Sequence, residues 1–256
     1  MLVMRMILLL LLVVTALPCG SLIADDEINA NPNRPTVSNP ADITQYGVLE
    51  MEYGITAAEG GQELGGLIKF AAGHDFELRI DNVPFQNNSV DSVSGFGDLG
   101  LGFQYRFLRQ SGNVPSMAVA YSLKVPTASS GLGSGKYDHQ IIYLVSKDLG
   151  GFHADFNVDF EFLGREGQSG HDIVAAPALA VSHSFGRFTI AGEISGTSRQ
   201  NDSTPSTVST LWALSYNVSS RCVLDTAVSF GLKGDVLDRT YLAGITFSIA
   251  KLYHHR

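Results

Sequence analysis

The stretch Phe152–Phe162, FHADFNVDFEF, alternates without a break: every even-numbered residue is apolar and every odd-numbered one is polar or charged. Successive side chains of a strand point to opposite faces, so this period of two describes a ribbon with one apolar and one wetted surface. Two architectures use such a ribbon. In a soluble sheet the apolar face packs on a core. In a membrane barrel it faces lipid, and the polar face lines the lumen.

The start of the chain separates these readings in part. MLVMRMILLLLLVVTALPCGSLIADDE places Arg5 ahead of an apolar run from Ile7 to Leu17, then small residues before Asp25. That is the layout of a cleaved secretory signal, and Pro18 and Gly20 interrupt the run too early for a spanning helix of about 20 apolar residues. Cleavage is expected after Ser21 or Ala24, and Pro18 ahead of Cys19 argues against a lipid-modified cysteine. No later stretch reaches transmembrane-helix length, so a membrane-spanning mature chain must span as a closed barrel. With Cys19 removed, Cys222 has no intramolecular disulfide partner. Loss of Arg5 takes the 17 basic residues to 16 against 25 acidic ones, a net charge of −9. That balance excludes a nucleic-acid partner, which requires clustered Lys and Arg.

Residues 25–44, DDEINANPNRPTVSNPADIT, are rich in Pro, Asn and Asp without periodicity, and read as a flexible periplasmic leader. From Gln45 to Ala250 alternating segments recur, each near the 9–11 residues of a tilted membrane strand. They number about twelve: 45–55, 64–72, 75–82, 96–108, 116–126, 138–147, 152–163, 172–183, 188–197, 207–217, 222–232 and 240–250. HQIIYLVSK and IVAAPALAVSH alternate least clearly. Elsewhere the charged residues of each segment share one parity: Glu50, Glu52, Lys69, Asp75, Glu77, Arg79, Asp81, Asp98, Arg106, Lys124, Asp155, Asp159, Glu161, Glu193 and Asp225. The other parity carries residues such as Leu78, Leu101, Phe103, Tyr105, Leu123, Trp212, Leu214, Val228 and Phe247. The expected links, about 8, 2, 13, 7, 11, 4, 8, 4, 9, 4 and 7 residues, alternate long and short, as external loops and periplasmic turns do in outer-membrane barrels. An even strand count places both termini in the periplasm.

Several motifs fail on context. GFGDLG, Gly95–Gly100, matches a dinucleotide fingerprint, but Leu101, Phe103, Tyr105 and Phe107 continue at strand period where a helix is required. GLGSGKY, Gly131–Tyr137, has Tyr137 where a phosphate loop needs Ser or Thr. His153, His171, His183 and His254 lack metal-ligand spacing, so no metal or other cofactor is expected. Ser182, His183 and Ser184 could serve hydrolysis only if they converged on one site, and they fall at a short turn. No catalytic residue is assigned.

GFGDLGLGFQYRFL (95–108), AYSLKVPTASSGLGSGKYD (120–138) and YLVSKDLGGFHADFNVDF (143–160) resemble the outer-membrane transporter family named after a meta-pathway phenol-degradation component. The likeness extends over most of residues 45–250. It implies a Gram-negative outer-membrane channel and hints at aromatic solutes. One departure is the tail: outer-membrane barrels usually end on an aromatic residue, whereas KLYHHR (251–256) follows Ala250 here.

The chain is thus expected to be an all-β protein, a monomeric up-and-down antiparallel transmembrane barrel of about twelve strands, following a signal at 1–24 and a leader at 25–44. Its expected partners are outer-membrane lipid, the barrel-assembly machinery and a small solute, hydrophobic or aromatic compounds being candidates. Expected lumen-lining residues are Glu50, Glu52, Lys69, Arg79, Asp98, Arg106, Lys124, Asp155, Asp159, Glu161, Glu193 and Asp225. With eleven acidic side chains among the fifteen of that parity, the lumen either pairs its charges or favours cations. The alternatives are an outer-membrane lipid hydrolase and a secreted soluble β-protein.

Overall fold

The computed structural model describes residues 28–165, 169–201, 203–234 and 239–253. The signal segment and His254–Arg256 lie outside them. Thirteen strands are formed: β1 Val48–Ala58, β2 Gly61–Phe70, β3 Phe76–Asn88, β4 Val93–Gly95, β5 Leu99–Leu108, β6 Ser116–Val125, β7 Asp138–Leu149, β8 Phe152–Gly164, β9 His171–Phe185, β10 Phe188–Thr197, β11 Thr207–Ser219, β12 Cys222–Lys233 and β13 Arg239–Lys251. Each pairs antiparallel with its sequence neighbour, and β1 pairs with β13 to close the ring. The lower half of β3 pairs with β5 and its tip with β4, so β4 and β5 are one wall strand interrupted at residues 96–98. The wall is therefore a closed barrel of twelve strands, which leaves no edge exposed to lipid.

Exposure decides which face is which. Leu78, Ile80, Leu101, Tyr105, Phe156, Leu179, Ile190, Trp212, Leu214 and Tyr241 are 40–61 % exposed, whereas Glu77, Arg79, Gln104, Asn157, Glu193 and Asp225 on the opposite parity are 0–8 % exposed. A soluble sandwich would show the reverse, so the secreted soluble alternative is overturned. Near the short turns the outer surface carries stacked aromatic pairs, Phe76 with Phe103 and Phe185 with Phe188, and Phe188 also meets Tyr216. Aromatic girdles of this kind sit at the membrane–water boundary.

Both weakly alternating segments, β7 and β9, are strands with unbroken pairing to β8. The links differ from expectation at the first hairpin. Residues 59–60 alone join β1 to β2, and 71–75 join β2 to β3, reversing the expected long-then-short order. The cause is that GQELGG, a glycine-rich stretch that reads as a loop, is strand. Gly66 pairs with Tyr53, and a Cβ at Gly66 would lie 2.1 Å from the Tyr53 ring, so the ring supplies the packing that the glycine lacks. From β3 onward one end has the links 109–115, 150–151, 186–187 and 220–221, and the other has 89–92, 126–137, 165–170, 198–206 and 234–238, so the two longest, 126–137 and 198–206, share that second end.

The face assignment has a direct test. Leu101→Arg places a charge in lipid and should cost about 2–4 kcal/mol, whereas the inward Gln140→Lys, beside Asp159, should change stability by about 1 kcal/mol or less. Equilibrium unfolding in lipid vesicles reads both.

Candidate functional site in the barrel lumen

The leader corrects the expectation most sharply. Residues 28–44, read as a flexible periplasmic segment, form a hairpin-shaped strap inside the barrel. Near its start the Ala30 N–H donates to Ser220 O in the turn between β11 and β12. Climbing from there, Asn31 N–H donates to Glu50 Oε2 at 2.9 Å, and the Asn33 and Arg34 N–H groups donate to Glu52 at 3.0 Å. At the apex Val37 and Ser38 donate to Glu193 at 3.1 and 2.7 Å. Descending, Asn39 meets the Asn157 amide, Ala41 N–H donates to Ser146 Oγ at 2.7 Å, Gln104 donates to the carbonyls of Pro40 and Ala41, and Thr44 N–H donates to Glu77 at 2.8 Å. Only the interior of a closed barrel presents inward residues of β1, β3, β5, β7, β8 and β10 to one short segment.

A physical reason explains the docking. The strap has no secondary structure, so its N–H groups require acceptors, and wall carboxylates supply charge-assisted ones. Ala41 packs on Ala118, Ala120 and Leu144, which adds an apolar contact at the base of the descending limb.

The lumen-lining candidates fall into distinct environments. Lys69, fully buried, bridges Glu50 at 2.7 Å and Glu52 at 2.5 Å and donates to Asn31 O and Asn33 Oδ1 of the strap. Arg79 pairs with Glu77 at 2.9 Å. Asp225 meets Arg34 at 3.4 Å. Arg106 sits near the short-turn rim between Asp42 at 2.6 Å and Asp75 at 3.0 Å. At the opposite mouth Lys124 bridges Asp98 and Asp138, while Asp98 also accepts from the Thr127 and Ala128 N–H groups. Asp155 accepts from Ser146 and faces His153. Asp159 accepts from Gln140, and neither it nor Glu161 has an ion-pair partner among the described residues. The picture of free carboxylates along an open path is thus corrected for Glu50, Glu52, Glu193 and Asp225: the strap consumes them. Their partners lie 18 to 191 residues away in sequence, beyond the reach of strand periodicity.

The lumen wall is two-sided, beside the strap as well as above it. Asp155, Asn157, Asp159 and Glu161 of β8 stand directly opposite Ala180, Ala178, Ala176 and Val174 of β9, and cross-strand partners share a face. Further round, Leu211, Ala213 and Ala227 form a buried apolar cluster with Ala191 and Leu242. A cavity of about 280 Å³ lies over the strap, bounded by Arg34, Thr36 and Asn39 below and by Glu63, Asp81 and Asn82 on the wall. A second, of about 560 Å³, opens among Lys124, Asp138, Arg165, Asp172 and Gln200 at the long-loop mouth. Val37 at the strap's apex is 58 % exposed.

The remaining sequence candidates do not converge. Ser182 pairs with His153 and His183 with Phe152, on opposite faces of β9, and His183 bonds Gly151 O. Ser182 and His183 therefore cannot exchange a proton with each other. Gly95 lies in β4 and Gly100 in β5, as strand period requires. Tyr253 of the tail packs against Tyr46 and Phe70, giving the last strand an aromatic neighbour beyond Phe247.

A closed barrel with an apolar outer face, an aromatic girdle and a polar interior defines an outer-membrane β-barrel protein. The family model described as "Putative MetA-pathway of phenol degradation" matches residues 16–249, and the chain belongs to that family. Among solved structures, an outer membrane channel from Pseudomonas putida F1 superposes with TM-score 0.66 at 12 % identity, covering 82 % of this chain and 98 % of that one. The NanC porin gives 0.59 at 11 % identity over 78 % and 100 %, and the KdgM porin 0.55 at 13 % over 78 % and 99 %. These likenesses concern the fold. A sequence comparison with curated proteins finds no match.

Two expectations follow from the charge network. Lys69→Met leaves Glu50 and Glu52 buried without their cation and should cost about 3–5 kcal/mol in vesicle unfolding. At the rim, hydrogen bonding from Arg109 holds the Asp75 carboxyl below its ordinary value. A depressed carboxylate stabilises the fold above its unfolded pKa of about 3.9, and that contribution is lost as pH falls through the folded value. Asp75→Asn should therefore melt below the wild type at neutral pH, with the difference in melting temperature shrinking away as pH falls through the folded value.

Proposed function

We propose that the protein is an outer-membrane channel that passes small solutes, with residues 28–44 closing its inner half. The position of the strap carries this reading. It fills the short-turn half of the lumen and leaves the long-loop half as a cup. Short turns face the periplasm in such barrels and long loops the exterior, so solute would enter the cup from outside and be stopped by the strap. Nine of the twelve expected lumen-lining residues then sort into two kinds: Glu50, Glu52, Lys69, Arg79, Glu193 and Asp225 hold the closed state, whereas Lys124, Asp159 and Glu161 meet the solute.

The class of solute follows from the two-sided wall. Asp159 and Glu161 on β8 stand beside the apolar Ala176 and Val174 on β9, which suits a small molecule with an apolar body and few polar groups. The phenol-degradation description of the family supports aromatic compounds of that kind. The protein acts as a monomer inserted by the barrel-assembly machinery, with Phe247 and Tyr253 supplying terminal aromatics, and no catalytic group or cofactor takes part.

Planar-bilayer recording of the purified protein tests the channel. Wild type should conduct weakly, and deletion of residues 28–44 should raise single-channel conductance several-fold. A correctly assembled deletion variant with no conductance would sink the channel reading.

A further inference from the structure

At mid-height the inner wall has a row without side chains. Gly65 of β2 pairs with Gly54 of β1, Gly54 with Gly244 of β13, and Gly244 with Asp225 of β12. Cross-strand partners share a face, so three glycines in adjacent strands form a shelf that ends at a carboxylate. Glycine inside a strand weakens it and marks a place where something approaches the backbone closely. Here the visitor is identified: a Cβ on Gly54 would lie 2.1 Å from Arg34 Cζ, and one on Gly244 would lie 2.4 Å from Arg34 Nε. The guanidinium occupies the space over Gly54 and Gly244, and Nη2 reaches Asp225 Oδ1 at 3.4 Å.

The contact is incomplete. Arg34 Nε and Asp225 Oδ2 are buried without a hydrogen-bond partner among the described residues. Arginine and carboxylate bind most strongly through two parallel bonds, and here one long bond is made and both second-bond atoms are left over. The limbs of the strap are held differently, by short bonds from backbone N–H groups to Glu50, Glu52 and Glu77. The strap is thus firmly tied through its backbone and weakly tied through the Arg34 side chain, which also borders the cavity above it.

We propose that Arg34 on its glycine shelf is a latch that sets how often the strap stands closed, and that its release frees the Asp225 charge into the path. The proposal rests on the channel reading. Arg34 is a positioning residue: it acts on conduction through the strap and makes no contact with the reacting or permeating species in the closed state. Lifting it off removes one positive charge from beside Asp225, Glu52, Glu63 and Asp81, so the opened lumen attracts cations.

Recordings on full-length protein in planar bilayers test this. Arg34→Gln and Asp225→Asn should each raise open probability about fivefold, the shift expected when a modest two-state preference is lost. Gly54→Ala, which evicts the guanidinium without altering any charge, should do the same, and Arg34→Lys should partly restore closure. In a salt gradient the reversal potential of Arg34→Gln should move toward cation selectivity, whereas that of Asp225→Asn should not. A strap that merely braces the barrel would leave reversal potentials unchanged. Because Arg34 lies on the strap and not in the wall, Arg34→Gln assembles even where a wall variant does not, and heat-modifiable migration on gels verifies it. Assembled Arg34→Gln with wild-type open probability and selectivity overturns the latch. If removal of residues 28–44 opens the pore in that case, the channel reading stands without it; if that deletion is silent too, the channel reading falls.

Discussion

The structure depends on one exchange: backbone N–H groups of an irregular segment donate to carboxylates of the barrel wall. Neither side is comfortable alone. A strap of seventeen residues without helix or sheet must find an acceptor for each buried N–H, and a buried carboxylate must find donors or a counter-charge. Glu50, Glu52, Glu77 and Glu193 meet both needs at once. The acidic excess of the composition is therefore spent largely inside the molecule.

The basic residues complete this arrangement by position more than by number. Lys69 lies between two glutamates that also hold the strap, so the ion pairs and the strap's hydrogen bonds belong to one network. Buried ion pairs add little net stability once desolvation is counted, and their better-attested use is to specify one arrangement over its competitors. In this lumen the arrangement specified is the path of the strap. Arg106 does the equivalent at the rim, joining Asp42 of the strap to Asp75 of the wall.

Much of the wall was legible because its signal is local. Phe152–Phe162 lies wholly within β8, and the expected strands 188–197 and 116–126 match β10 and β6 to within a residue. Parity also separated the charged residues from the apolar ones within each strand. Two features escaped. The glycines of β2 imitate a loop unless Tyr53 is known to cover Gly66. The strap, poor in apolar residues and broken by Pro32, Pro35 and Pro40, has the composition of a disordered leader, and only three-dimensional closure brings its acceptors to it. A sequence pattern reports which face a carboxylate occupies. It does not report that a partner 155 residues away, as Ser38 is from Glu193, will fill that face.

The two-residue turn at 59–60 has a consequence for the shape of the opening. Across the barrel's mouth, the segments 89–98 and 126–137 are stapled into a raised parapet: Ser129 N–H donates to Phe96 O, Phe96 N–H to Ser129 Oγ, and Gln86 to Leu132 O. The β1–β2 turn is tied to the same rim, where Gly60 O accepts from Ser89 N–H, so a two-residue link leaves nothing there to fold across the opening while the hairpin ends beside it brace one another.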